Sequence, residues 1–517
     1  MRRWYAIPPL VAAAAPAAVA LPSTKATTNP VSARTAGAHA GQLSILQEDQ
    51  NLIYSGTDQQ TKTLKLLRSL GVNVVKVTMV WWLVAPQPTS PQPPSNFDAS
   101  NPAAYAPHAW SRYDTLVQTA QKLGMRVYFQ FAPPDPAWAR DPYVPSGQGS
   151  LNMRMPRPKW FQQFVQAAGT RYSGHYSPTS GAPPLPRVSW WGIWNEPNYP
   201  AWLNPQHRTK DGVHELLPPA LYRILVNAAW NGLNASGHGS DTILIGETAN
   251  RGQPTTVSFV EDLYCLDSHY KPLSGKAALA VGCAKKPDRS TFKAQDPGLF
   301  HIGGYAHHPY QFVQAPGKPD KANPQWITVY NVSTLERVLN HVFASYGSSR
   351  RGGIPLYLTE WGYITHPPHP AGGAVSLNQA ATWLNWGEYL TWRDPYVKAL
   401  AQYLLRDAPS NGFATGLEYL NGKPKPGLHA FRLPIWLPDA RHGHRVTVWG
   451  QLRPSYYGGP RTGQLQFKRQ GSSRWNKLGT VRAQDKEGYF LVHVSIPSAG
   501  AVRLEWGVSH SRVVSVS

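Results

Sequence analysis

The sequence predicts an α/β chain in which a (β/α)8 barrel is followed by a small C-terminal β-sandwich, and three observations predict it. From about Gly41, short β-rich apolar runs alternate with longer amphipathic stretches, the pattern of parallel strands joined by crossover helices. No glycine-rich phosphate turn follows the first strand, where a doubly wound open sheet usually carries one. After Pro434 the texture changes to short alternating segments separated by Gly, Pro and Ser turns, as in a sandwich.

The first strand is read over residues 43–47, and a helix over 57–70, where Leu64, Leu67 and Leu70 repeat at helical spacing and Gly71 supplies the stop. A Val-rich strand over 72–80 follows. The unit recurs as a helix over 110–123, a stop at Gly124 and a strand over 126–132 that runs into Pro133-Pro134. A helix over 158–172 then leads to a strand over 188–195, which ends directly in Glu196-Pro197. Further strands are read over 242–246, 301–307, 355–359 and 397–403, with helices over 218–234, 333–343 and 377–392. Eight parallel strands fit a barrel enlarged by loop insertions, among them 87–107, 141–156 and 268–297. Sandwich strands are read over 445–449, 464–469, 488–496 and 501–506.

Met1-Arg2-Arg3, an apolar stretch from Ala6 to Leu21 and the triplet Ala18-Val19-Ala20 have the layout of a secretory signal peptide. Pro8, Pro9 and Pro16 interrupt that stretch, which argues for a cleaved leader over a membrane anchor. The expected organisation is a signal peptide over 1–20, a linker over 21–40, the barrel over 41–433 and a sandwich accessory domain over 434–517 of a secreted, extracellular protein. No later segment is apolar enough to span a bilayer, so no stable membrane insertion is expected once the leader is removed. Cys265 and Cys283, the two cysteines of an exported chain, are expected to form one loop-stapling disulfide.

The 517 residues are 42% hydrophobic, ample for two cores. The net charge of +22 suits an acidic partner, but Lys and Arg are scattered along the chain and no nucleic-acid module is legible. A solvated basic surface is the reading, with no nucleic acid as partner. The sequence is silent on oligomeric state.

Two carboxylates have a setting that suits chemistry. Glu196 ends the fourth strand and Glu360 the seventh, and a barrel gathers the C-terminal ends of its strands into one mouth, so both are expected to face one pocket. Hydrolysis of a glycosidic bond with retention needs two carboxyls about 5 Å apart across the anomeric carbon. The segments Trp194-Asn195-Glu196-Pro197-Asn198 and Thr359-Glu360-Trp361-Gly362 resemble the signature of the retaining glycoside hydrolases of clan A, particularly the cellulase-like barrels of families five and thirty-nine. The resemblance covers the barrel and not the segment after Pro434.

That resemblance implies a retaining glycosidase with Glu196 as general acid/base and Glu360 as nucleophile, acting on β-linked oligo- or polysaccharides without a cofactor. It assigns the sugar 2-hydroxyl to Asn195, and places His308 and Tyr310 of His308-Pro309-Tyr310 in the site lining, with His307 leaving the register open by one. Lys76 stands where these families often carry an arginine beside the nucleophile; it keeps the cation but not the bidentate fork. No aromatic platform is evident after the eighth strand, since Tyr403 is followed by Leu404-Leu405-Arg406-Asp407. Of Trp81, Trp82, Trp138 and Trp202, Trp138 is the first choice for stacking on a sugar. Glu247 and Asp407, single carboxylates at strand ends, are read as loop anchors or salt-bridge partners, and the close histidine pairs His366/His369 and His442/His444 as exposed loop residues with no metal. To act first as an acid, Glu196 requires a raised pKa. Two alternatives stay open: a non-catalytic carbohydrate-binding surface protein, and a transglycosidase using the same residues.

Overall fold

The computed structural model describes residues 41–141, 153–321, 323–409, 413–439 and 441–517. The expected leader and linker and most of the expected 141–156 insertion lie outside them. Eight strands close a parallel barrel: β1 (Leu43–Gln47), β2 (Val74–Val80), β3 (Arg126–Ala132), β4 (Trp190–Ile193), β5 (Thr242–Ala249), β6 (Gly304–His308), β7 (Leu356–Leu358) and β8 (Val397–Tyr403). Each pairs with its neighbour in sequence, and β8 closes on β1 with Leu43 opposite Ala399. Buried Glu48 fastens the same seam, its carboxylate accepting from the backbone N–H groups of Leu405 and Arg406, both at 3.1 Å.

Expected and observed bounds coincide for β1, β3, β8 and the helix Leu377–Trp392. Two strands differ for a physical reason. β4 stops at Ile193 because Trp194 and Glu196 take left-handed backbone angles, φ +67° and +40°, that turn the chain out of the ladder. β5 runs beyond Gly246 to Ala249 through a bulge, where the register with β6 shifts between Gly246 and Thr248.

Side-chain alternation builds the interior. Buried residues from every strand, Ile45, Val74, Tyr128, Trp190, Leu244, Ala306, Tyr357 and, from β8, Ala399 and Ala401, join a cluster distinct from the larger one between strands and helices. Two residues further along several strands the inward positions turn polar: Lys76, Gln130, His308 and Thr359, all buried. Gly192 is required in that layer, because a Cβ there would collide with the Tyr128 hydroxyl. The barrel is thus apolar at its base and polar at the C-terminal ends of its strands.

Cys265 and Cys283 form the expected disulfide. Their insertion, which carries the short helices Gly275–Ala280 and Arg289–Gln295, is fastened to the helix Pro218–Ala235 by Arg223, which donates to the carbonyls of Leu263, Gly282 and Asp262 at 3.0–3.1 Å. Among the described residues no helix is long and apolar enough to cross a membrane.

At the C-terminus, a sheet of Ile435–Trp436, Arg445–Gln451 and Tyr489–Ser495 and another built on Asn476–Arg482, Thr462–Arg469 and Gly500–Trp506 enclose a core that includes Leu433, Val448, Leu465, Phe490 and Leu504. Asn476–Arg482 is a strand that the sequence pattern does not predict: it pairs along one side only and is largely exposed, so it lacks an apolar alternation. A buried Glu388–Arg453 ion pair, with the Tyr489 hydroxyl 3.4 Å from the same carboxylate, joins the helix Leu377–Trp392 to these sheets.

Candidate active site

The polar layer at the barrel mouth holds three carboxylates and two cationic side chains. Glu196 follows β4, Glu247 lies on β5 and Glu360 follows β7; Lys76 comes from β2 and His308 ends β6. One carboxylate oxygen of Glu196 and one of Glu360 lie within 4.8 Å of each other and of a ring nitrogen of His308. Their exposure divides them. The side chains of Glu196 and Glu360 are 16% and 10% exposed, whereas those of Glu247, Lys76 and His308 are at 0%. Only the outer two carboxylates can meet a ligand from solvent.

His308, not His307, faces the site. Its Nδ1 is 3.0 Å from Glu196 Oε1 and 3.7 Å from Glu360 Oε2, and its Nε2 is 2.7 Å from Glu247 Oε2. Burial opposes charge on this ring, but the Glu360 charge and the hydrogen bonds to Glu196 and Glu247 outweigh it and push its pKa up to about 9. His307 points the other way, bonded to Thr248 Oγ1 and the Ile327 carbonyl, both at 2.9 Å, and burial pulls its pKa down to about 3.

Lys76 lies 3.1 Å from Glu247 Oε2 and 3.4 Å from Glu360 Oε1. It therefore stands beside Glu360 as expected. Being fully buried beneath the carboxylates, however, it has no surface to offer a sugar and is not a substrate-binding residue. Tyr310 donates its hydroxyl to Glu360 Oε2 at 3.2 Å. Asn195 is held by Gln130, whose Nε2 donates to Asn195 Oδ1 and to the Trp194 carbonyl, both at 2.9 Å. That fixes the amide with Nδ2 as its donor toward a ligand.

Trp138 requires correction. It is fully buried, donates its indole N–H to the Pro86 carbonyl at 3.0 Å and packs against Trp81, Phe97 and Trp160. No ring face is left for a sugar. At the end of β8, partly exposed Tyr403 meets Tyr310 and Phe413 edge-on, with centroids 6.3 and 5.5 Å away.

Glu247 is the other residue whose place the sequence pattern does not reveal. It is fully buried and accepts hydrogen bonds from Lys76, His308, Thr359 and Tyr128, so of the two expected roles it is a salt-bridge partner and not a loop anchor. Burial disfavours its charge, but Lys76 and His308 prevail and hold the carboxyl down at about 2. Asp407, by contrast, is a loop anchor, accepting from Lys425 Nζ at 2.7 Å and the Gly416 N–H at 3.0 Å.

Glu196, His308 and Glu360 have the donor atoms a metal site needs, but the arrangement fits a proton better. Each ring nitrogen of His308 points at a carboxylate and is met as a donor, which leaves no lone pair for an ion. His366 is exposed and His369 partly exposed, and both bond to neighbouring carbonyls.

No family model matches the sequence, and no curated protein matches it. Among solved structures the chain is similar to a family 39 glycoside hydrolase from the gut symbiont Bacteroides cellulosilyticus WH2, at 13% identity over 89% of this chain and 81% of that one, with a TM-score of 0.49. It is similar to a monomeric β-xylosidase from Caulobacter crescentus CB15 at 15% identity, over 90% and 97% of the two chains, with a TM-score of 0.46. A GH30 endoxylanase from Clostridium papyrosolvens C71 is 10% identical over 89% and 96%, with a TM-score of 0.44.

Proposed function

We propose that this chain is a secreted glycoside hydrolase that cleaves β-linked oligo- or polysaccharides with retention of configuration, its chemistry carried by the barrel over 41–433. The observation that carries the reading is the pair of outer carboxylates, Glu196 and Glu360, with oxygens within 4.8 Å at the mouth of the barrel. Inverting enzymes hold their two carboxyls about 6.5–9.5 Å apart to admit a water between them, whereas double displacement needs about 5 Å. Secretion is supported by the leader-like N-terminus and the disulfide.

In the first step a Glu360 oxygen attacks the anomeric carbon as the bond to the leaving oxygen breaks, and Glu196 gives that oxygen its proton. In the second, water attacks the anomeric carbon, Glu196 takes a proton from it, and the ester bond to Glu360 breaks. The proton on Glu196 has a nearby source. Moving it across the 3.0 Å contact from His308 Nδ1 leaves a neutral ring still donating from Nε2 to Glu247. Lys76 and Tyr310 hold the Glu360 carboxyl in place for the attack. Asn195 Nδ2 would donate to the sugar 2-hydroxyl, a bond that strengthens as positive charge develops at the ring.

The test is turnover of aryl β-glycosides and β-linked polysaccharides by the mature protein, beside Glu360→Ala. The expected result is cleavage with a β-anomeric first product by proton NMR, lost about 10⁴-fold or more in Glu360→Ala. Binding without turnover across the panel, or an α-anomeric first product, would overturn the reading.

A further inference from the structure

We propose that Glu247, which neither step of the displacement uses, is a positioning residue from which two arms run, one through His308 to Glu196 and one through Lys76 to Glu360. The proposal rests on the glycosidase reading and adds a residue to it. Glu247 Oε2 receives His308 Nε2 at 2.7 Å, and the other nitrogen of that ring meets Glu196 at 3.0 Å. The same oxygen receives Lys76 Nζ at 3.1 Å, and Lys76 meets Glu360 at 3.4 Å. Thr359, the residue before Glu360, donates its hydroxyl to Oε2 at 2.7 Å, and Tyr128 donates to Oε1. One carboxylate on β5 thus receives donors from β2, β3 and β6 and from the end of β7. Its backbone takes part too, since the Glu247 carbonyl accepts from the Glu196 N–H at 2.9 Å.

The fold goes out of its way to place it. Leu244 points into the barrel and Ile245 out of it, so plain alternation would send Glu247 outward. The β-bulge between Gly246 and Thr248 reverses that parity, at a left-handed φ of +45° for Glu247 itself. A carboxylate that served only to neutralise Lys76 would not need to face His308 as well. The titratable groups facing His308 are Glu196, Glu247, Glu360, Lys76, His307 and Tyr310. Those facing Glu247 are Lys76, His307, His308, Tyr128, Tyr222 and Tyr305.

The experiment compares Glu247→Gln and Glu247→Asp with the wild type by kcat and KM against pH, and by ¹⁵N shifts of selectively labelled histidine with His308→Asn for assignment. In Glu247→Gln, kcat is expected to fall about 10²-fold with KM changed less than about threefold, and the basic limb of the kcat profile to move down by about one pH unit or more. His308, doubly protonated up to about pH 9 in the wild type, is expected to lose a proton at lower pH in the same variant. Glu247→Asp, which keeps the charge, is expected to recover part of both. An unmoved His308 titration in Glu247→Gln, or a loss of kcat with an unmoved pH profile, would overturn the proposal. Should Glu247→Gln not fold, the wild-type spectrum decides: a ring bare at Nε2, the nitrogen that faces Glu247, at pH 7 refutes it, and one protonated there supports it. If the wild type cleaves no glycoside, the functional reading fails alone, and the His308 titration still tests Glu247.

Discussion

Lys76→Met removes a buried cation while keeping most of the side-chain volume, and its effect on stability is predicted to depend on pH with a definite sign. At 3.1 and 3.4 Å from the Glu247 and Glu360 carboxylates, the ammonium is attracted to each by about 5 kcal/mol at an effective dielectric constant of about 20, offset by the cost of burying it. The net effect can be gauged from Glu247. A carboxyl held at about 2 in place of the ordinary 4.5 contributes about 3 kcal/mol at neutral pH. Because this pKa is depressed by folding, the contribution is present above pH 4.5 and lost as pH falls towards 2. Lys76 is the foremost favourable cause of the depression, ahead of His308. The wild type is therefore expected to exceed Lys76→Met by about 3 kcal/mol at pH 7, and the gap to shrink by more than half by pH 3, where Glu247 of the unfolded chain takes up a proton while the folded wild type still holds it ionised. Urea unfolding followed by tryptophan fluorescence at pH 7, 5, 4 and 3 measures it. A gap that stays constant across that series would refute the electrostatic reasoning and reduce Lys76 to a packing residue.

Trp138→Ala is expected to cost about 3–5 kcal/mol, visible as a lowered Tm, with KM unchanged, because the ring is core; a raised KM at unchanged Tm would return it to the sugar site. In Gly246→Ala a Cβ would stand 2.5 Å from Tyr305 Cζ and 2.6 Å from the Ala306 carbonyl, at a φ of +100°. Calorimetry should show a loss of more than about 1 kcal/mol and kinetics a lowered kcat, while wild-type values for both would mean that the bulge tolerates a side chain. Replacing Cys265 and Cys283 by serine opens a link between positions 18 apart and should lower stability by about 3 kcal/mol with kcat kept. Equal thermal unfolding with and without reductant would refute that.

Most of the barrel was legible because its strands and helices obey different periods and are punctuated by residues with one backbone habit. The helix Thr57–Ser69 buries Leu64 and Leu67 and stops where Gly71 takes a φ of +80°. Elements that do not bury an alternating face escaped: the exposed strand Asn476–Arg482, and the short helices Gly275–Ala280 and Arg289–Gln295 of the disulfide insertion, the second of which buries nothing. A disulfide rather than an apolar stripe holds that insertion, so periodicity had no signal to report.

The site was legible where the chain keeps its alternation and hidden where it breaks it. Counting by two along β2 from Val74 gives Lys76, along β3 from Tyr128 gives Gln130, along β6 from Ala306 gives His308 and along β7 from Tyr357 gives Thr359. Applied consistently, this count settles the choice between His307 and His308 and picks out Gln130 from strand parity alone. It fails at β5, where counting from Leu244 reaches Gly246 and passes over Glu247. The failure has a physical content. A glutamate beside a glycine at the C-terminal end of a barrel strand has a residue next to it that permits a bulge, and so a route into the mouth that alternation denies it. Glu247 sits two residues from the end of β5 with Gly246 before it, whereas Asp407 has no such glycine and anchors a loop. The glycine was therefore the signal that separated two carboxylates which otherwise looked alike.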